Sequence, residues 1–494
     1  MTNDNQLKRW MMAAAGLFLA YAAYKLYLLP SYASSWDEVD YALGVLEFDV
    51  LKMQPHFPGY PFYILGGMLL HVFIEDPIRS LQAFNTILWI SSILPVFWLF
   101  RNYLCKKKAI IAVVLLFSLS YPGIMMVQPM SEGAAISILW WYLWSLHRAV
   151  TLNTKDAAVL PIVFFSLLLG IRLSYIAFGL GFIYYWYRFW IEHEEFNSKT
   201  RTVLYHLLLI VISQGVWVSA LAANTGSLNT LMQIAFGFTG GHFTEWGGAA
   251  GSESNVLQRT GTYLFTNIFW NGLFSQSVLI MTISILLFIL AFKHLKGLRW
   301  KNIDRGTLLI LVCFSSYLLW GLLAQNIDKP RHILPLALLL GFFLIGTWLR
   351  EVTKVIRGLL ILWLMFHMGT GLKALKEYDA TPPAVYQSAA FFSEKNDDSP
   401  IMVYTWEETR IFAYLDVDFS HKRVLTYSQF LQDIKHTGKD IYITNRVVNG
   451  FKQQGVDLGE RIIEVGSFHS QEMFDPVYST IKVYKWKEKK GEKP

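Results

Sequence analysis

Over the first 372 residues, apolar side chains come in long runs broken by short charged segments, with no alternation of apolar and charged positions inside the runs. A helix needs about 20 apolar residues to cross about 30 Å of hydrocarbon. That length predicts eleven spans, near 11–29, 81–100, 109–127, 133–149, 157–171, 174–190, 202–221, 273–292, 307–324, 332–350 and 356–372. The runs 157–171 and 174–190 are short and are separated by Arg172. The run 11–29 exceeds the usual 7–15-residue core of a signal peptide and reads as a signal anchor that stays in the protein. No internal repeat marks two related halves.

Three segments are too long to be turns. Segment 30–80 mixes Asp37, Glu38, Asp40, Glu47 and Asp49 with Trp36, Phe48, Phe57, Tyr60 and Phe62, and predicts amphipathic helices lying on the membrane. Segment 222–272 is rich in glycine (Gly237, Gly240, Gly241, Gly247, Gly248, Gly251) and predicts a mobile backbone. Segment 373–494 changes character. Strand-like runs occur at Ile401–Trp406, Ile441–Thr444, Arg461–Val465 and Thr480–Trp486, and helix-like stretches at Pro383–Glu394, Glu408–Leu415 and Ser428–His436. Strands alternating with helices predict a small soluble α/β domain, with a frayed tail KWKEKKGEKP. The predicted fold is thus an all-α polytopic membrane bundle, 1–372, followed by an α/β domain, 373–494.

Composition agrees. Hydrophobic residues make up 54% and charged residues 16%, against about 45–50% and about 25% in soluble domains. Disordered, collagenous and disulfide-stapled classes are excluded, and one large soluble enzyme is disfavoured. The net charge of +7 is unevenly placed. Residues 373–494 carry 17 basic and 18 acidic groups, whereas residues 1–372 carry 26 basic and 18 acidic. With eleven spans, 19 of those 26 basic residues fall in loops on one side, including Lys106, Lys107, Lys108, Lys293, Lys296, Arg299, Lys301 and Arg305. Lys25, Lys52, Arg79, Arg172, Arg259, Lys329 and Arg331 fall on or near the other. The positive-inside rule makes the first side cytoplasmic, the N-terminus inside and the C-terminal domain extracytoplasmic. Cys105 and Cys313 form no disulfide framework or metal cluster.

The candidate chemistry gathers on the outer side. In Trp36-Asp37-Glu38-Val39-Asp40-Tyr41, Asp37 and Tyr41 lie one helical turn apart. A carboxylate beside the membrane suits a general base. Taken alone, the run reads first as an acidic helix start. His56-Phe57-Pro58-Gly59-Tyr60-Pro61 fixes a bend, and His56 can donate to a phosphate. Taken alone, it reads first as a turn capping an interfacial helix. Glu132, after Ser131, is either a costly boundary carboxylate with a function or part of a helix cap. Lys329, Arg331 and His332 cluster where the charge rule expects few cations, which favours anion binding over snorkelling. Arg172 is a second such cation, or an anchor between two short spans. His242, Glu245 and Trp246 flank the glycines and could cover a ligand, although a plain loop is the first reading. No Walker motif, GxGxxG or HExxH occurs.

In order and spacing these pieces resemble the GT-C superfamily of polytopic glycosyltransferases, nearest to bacterial aminoarabinose transferase and protein O-mannosyltransferase-like members. The resemblance covers nearly the whole chain through short motifs: Asp37-Glu38-x-x-Tyr41, the His56 bend, Glu132 at an outer helix start, and Lys329-Pro330-Arg331-His332 before a C-terminal domain. It implies sugar transfer from a polyprenyl-phosphate donor to an extracytoplasmic glycan, lipid or protein acceptor, in a bacterial plasma membrane and with no nucleic-acid partner. Asp37 would be the base on the acceptor, with Glu38 and Glu132 positioning groups around it. Lys329, Arg331 and His332, with His56 and Arg172, would bind the donor phosphate. Phe57 stands where relatives often have proline, and His56 where they often have lysine. No pattern secures a cofactor, and related enzymes are compatible with a divalent metal. The rival classes are a lipid or polysaccharide transporter and a non-catalytic envelope-assembly protein. A transporter would place its charges near mid-membrane, often in repeated halves.

The predicted orientation is open to a direct check. In intact cells an impermeant thiol reagent should label Ser399→Cys and not Asn302→Cys. The opposite pattern would overturn the orientation.

Overall fold

The structure, a computed structural model, describes residues 2–243, 255–295, 303–474 and 476–487. Glu245, Trp246, Gly247, Gly248 and Gly251, the loop cations Lys296, Arg299 and Lys301, and the end of the tail lie outside the described residues. The chain divides into two compact units. One comprises Met1–Leu28 and Leu43–Lys373, the other Leu29–Ala42 and Ala374–Pro494.

The first unit is helical: α1 (Thr2–Tyr27), the end of α2 (Trp36–Leu46), α3 (Pro61–His71), α4 (Pro77–Arg101), α5 (Lys106–Phe117), α6 (Ser120–Met125), α7 (Ser131–Leu152), α8 (Val159–Ile171), α9 (Leu180–Glu192), α10 (Phe196–Asn224), α11 (Leu228–Gly241), α12 (Val256–Gly261) running into a π-helix (Thr262–Leu273), α13 (Val278–Leu295), α14 (Arg305–Ala324), α15 (Leu334–Trp348) and most of α16 (Lys354–Ala380). Helices satisfy their own backbone groups, which hydrocarbon cannot do. Among the described residues, five helical stretches have the length and hydropathy to cross a membrane: Pro77–Arg101, Phe196–Asn224, Arg305–Ala324, Pro330–Trp348 and Lys354–Asp398. The pair Val256–Leu273 and Val278–Phe292, bent by 100°, makes a sixth if counted as one span.

Two expectations change here. The run 109–127 is not one helix but α5 followed by the short, wholly buried α6. Pro122 has no N–H to give the carbonyl of Ser118, so the helix stops and restarts. Buried polar contacts pin the restart. Ser120 meets His367 through its N–H (3.2 Å) and Oγ (2.9 Å). Lys25 Nζ donates to the Gly123 carbonyl (2.8 Å) and sits 4.0 Å from the centre of the Trp89 ring. The glycine-rich segment also differs. Gly237, Gly240 and Gly241 lie within α11, whose first turn is capped by Ser227 Oγ accepting from Thr230 N–H (3.1 Å). The cap and the apolar residues of the segment outweigh a helix cost of about 1 kcal/mol per glycine.

The bend before α3 is built by Gly59 at φ +80°, where a Cβ would also strike Leu221, and by Tyr60 at φ +47° before Pro61. Asp49 caps the preceding 3₁₀ turn Val50–Lys52.

The second unit contains the start of α2, the end of α16, α17 (Ala384–Asp398), β1 (Ile401–Thr405), α18 (Glu408–Tyr414), β2 (Ser420–Arg423), α19 (Tyr427–Ile434), β3 (Asp440–Thr444), α20 (Asn445–Gln453), β4 (Ile462–His469) and β5 (Thr480–Trp486). The sheet order is β2-β1-β3-β5-β4. β2, β1 and β3 are parallel, and β5 and β4 are antiparallel to their neighbours. One core joins Tyr404, Val424, Phe430, Ile441, Ile443, Val447, Phe451 and Leu458. All four anticipated strands are present. The two elements not anticipated are β2, a polar Ser-His-Lys-Arg edge strand, and α20, whose apolar face is narrow (Val447 and Phe451).

Two glycines test the packing. A Cβ on Gly133 in α7 would collide with the Met126 carbonyl, whereas Gly215 in α10 faces open space. Gly133→Ala should lose about 1–3 kcal/mol of stability in detergent. Gly215→Ala should be neutral or gain up to about 1 kcal/mol, as read by thermal unfolding.

Candidate active site

The chain before α7 is pinned by Asn85 of α4. Its Nδ2 donates to the carbonyls of Gln128 and Met130 (2.9 Å for the latter). Met130 stands at the N-cap position of α7 and no side chain caps that helix. Ser131 and Glu132 therefore serve another partner. Arg172, at the C-cap of α8, donates through Nη1 to Ser131 Oγ (2.8 Å) and places Nη2 3.0 Å from Glu132 Oε1. A cation suits that position, because the last carbonyls of a helix carry partial negative charge. Arg331, in the 3₁₀ turn Pro330–Ile333 ahead of α15, sets its Nε 3.0 Å from the same carboxylate oxygen. Glu132 is 1% exposed, and Arg172 and Arg331 are each 8% exposed. Three parts of the chain, remote in sequence, thus converge on one carboxylate.

The 3₁₀ turn is itself braced. Tyr317 Oη on α14 donates to the His332 carbonyl (3.0 Å), and His332 Nδ1 lies 3.1 Å from the Asn326 carbonyl. Tyr175 packs edge-on against Tyr317 with ring centres 5.3 Å apart. Its buried hydroxyl, near the charges of Arg172 and Glu132, has no hydrogen-bond partner among the described residues. Lys329 is half-buried on the same turn as Arg331. His56 is placed against Tyr60 (Nε2 to Oη 3.1 Å) and stacks on Phe238, with ring centres 5.6 Å apart. His242 Nε2 meets the Ala324 carbonyl at 2.8 Å.

The acidic run lies in the second unit. Ser35 and Glu38 form a capping box on α2: Ser35 Oγ accepts from Glu38 N–H (3.4 Å), and Glu38 Oε2 accepts from Ser35 N–H (3.1 Å). The same oxygen accepts from Ser34 N–H (2.7 Å) and Ser34 Oγ (2.9 Å). Asp37 is half-buried in the first turn, and Asp40 is fully buried against Arg410.

In the sheet domain, burial pushes the Glu408 carboxyl up from its ordinary pKa, opposed by hydrogen bonds from the backbone N–H groups of Glu408 and Trp406. Sequence reading did not single out Tyr175, Tyr317 or Asn85. The available signal was an Asn inside an apolar span, and two tyrosines have none among 25. Among the described residues no group of three His, Cys, Asp or Glu side chains could hold a metal ion.

The fold is similar to that of GT-C glycosyltransferases. The particular likenesses are to ArnT of Cupriavidus metallidurans bound to undecaprenyl phosphate (TM-score 0.56, 10% identity, 95% of this chain and 97% of that one) and to its apo state (0.54, 11%, 96% and 98%). The apo oligosaccharyltransferase of Archaeoglobus fulgidus matches at TM-score 0.50 and 10% identity over 89% of this chain and 70% of that one. No family model and no curated protein matches the chain.

Sharing one carboxylate ranks the variants. Glu132→Gln deprives two guanidiniums of that anion and should cost about 3–5 kcal/mol. Arg172→Gln keeps the Glu132–Arg331 pair and should cost less. Thermal unfolding in detergent reads the order, and a reversed order would contradict the geometry.

Proposed function

We propose that the protein is an integral membrane glycosyltransferase that moves a sugar from a polyprenyl-phosphate carrier to an extracytoplasmic glycan, lipid or protein. The observation that carries this reading is the buried Glu132–Arg172–Arg331 cluster in a chain with a GT-C-like fold. Two guanidiniums held by one carboxylate make a rigid, cationic place at which a phosphate can bond through two oxygens at once. The solved ArnT structure bound to undecaprenyl phosphate supports a lipid-phosphate donor.

In the reaction, the acceptor hydroxyl or amine attacks the anomeric carbon while its proton passes to Asp37. The bond from that carbon to the phosphate oxygen breaks, and polyprenyl phosphate leaves as an anion. Arg331 and Arg172, with Lys329, His332 and His56, stabilise the charge that develops on the phosphate. Tyr175 adds a hydroxyl donor beside them. Glu132 orients the arginines and Glu38 holds the helix that carries Asp37. The protein lies in the plasma membrane with its N-terminus cytoplasmic and the sheet domain outside.

The test is a transfer assay in membranes with a panel of polyprenyl-phosphate sugars and extracted acceptors. Asp37→Asn should lower turnover about 10²-fold or more. Glu47→Gln, whose exposed side chain pairs with Lys52, should leave it unchanged. Equal behaviour of the two would refute the base assignment.

A further inference from the structure

Leu29–Ala42, which carries Asp37, packs as part of the sheet domain's unit although more than three hundred residues separate them in the chain. The contacts are specific. The Tyr32 ring lies edge-on to Tyr386 (5.0 Å between centres) and to Tyr378 (5.8 Å). Ala33 N–H donates to Tyr386 Oη (3.1 Å). The Arg410 guanidinium lies 5.7 Å from the centre of the Trp36 ring, and that of Arg423 lies 5.5 Å from Trp36 and 4.5 Å from Trp406. At the centre, Asp40, with no exposed surface, accepts from Arg410 Nε at 2.8 Å.

Asp37 and Asp40 are three residues apart on one helix, so they share a face. Whatever fixes the rotation of α2 about its axis at Asp40 fixes the direction of Asp37 as well. Arg410 grips this turn twice, by the ion pair to Asp40 and by the cation–π contact with Trp36. Buried charged hydrogen bonds are strong and directional, and the planar guanidinium allows little slack.

We propose that Arg410, acting through Asp40 and Trp36, is a positioning residue for the base Asp37, so that the sheet domain sets the geometry of proton removal from the acceptor. The inference rests on Asp37 being that base. It makes the sheet domain a working part of the transferase, and it predicts that the domain's surface can change turnover without touching the donor.

The experiment uses the full chain and two readouts. The first is steady-state transfer. Arg410→Gln should lower kcat about ten- to a hundredfold, the scale of a misplaced catalytic group, with KM for the lipid donor within about twofold of wild type. Arg410→Lys, which keeps the charge but loses the planar guanidinium, should fall between. Asp40→Asn combined with Arg410→Gln should be no worse than Arg410→Gln alone, because the buried carboxylate has gone with its partner. The second readout is amide hydrogen exchange, which should speed up at residues 36–42 in Arg410→Gln. Loss of turnover in Asp37→Asn with wild-type kcat and unchanged exchange in Arg410→Gln would overturn the positioning role alone. A wild-type kcat in Asp37→Asn would overturn the base assignment and the inference with it. A uniform rise in KM with unchanged kcat in Arg410→Gln would also overturn positioning.

Discussion

Glu132 draws two arginines from distant parts of the chain onto a single carboxylate oxygen. Burying such charges is costly unless they are paired and their geometry is fixed, so the surroundings are constrained in detail. Asn85 holds the carbonyls ahead of α7. Gly133 lets α7 approach the Met126 carbonyl. Arg172 sits where α8 ends, and the turn bearing Arg331 is braced by Tyr317. A change at any of these positions is felt at the carboxylate. The interrupted helices α5/α6 and α8/α9 have the same logic: irregular backbone within an apolar protein is stable where buried polar side chains satisfy it.

The two compact units divide the candidate chemistry in an informative way. The helical unit contains the arginine cluster and the His56 bend, and the sheet unit contains the first turns of α2. The sheet strands and their helices hold the segment bearing the proposed base through the Asp40–Arg410 ion pair and a set of tyrosine contacts. Domain and base are therefore expected to respond together to mutation or to an acceptor that loads the domain.

Much of this was legible in the residues, for physical reasons. Apolar runs report helices because a membrane leaves the backbone no other solution, and the alternation of strand-like and helix-like stretches after 373 reported the α/β layer. Lys329-Pro330-Arg331-His332 stands out because the predicted orientation puts its cations on the side where the charge rule expects few. The interrupted span at 109–127 was hidden because one proline in an apolar run does not say whether a helix kinks or stops. α11 was hidden because glycine lowers helix propensity locally, whereas an N-cap and apolar spacing act over a whole segment. The partners of Glu132 could not be read at all. Ion pairs between residues 40 and almost 200 positions apart leave no periodic trace, so Glu132 looked as much like a cap as a site.

The central claim, that the arginine cluster receives a lipid phosphate, is tested most directly by binding to the purified full chain. Affinity for a polyprenyl phosphate is compared with that for the matching neutral prenol, in wild type and in Arg331→Gln. The phosphate should bind more tightly than the alcohol, and Arg331→Gln should remove about 2–5 kcal/mol of that preference while leaving alcohol binding unchanged. Equal affinity for phosphate and alcohol, or unchanged phosphate affinity in Arg331→Gln, would contradict it.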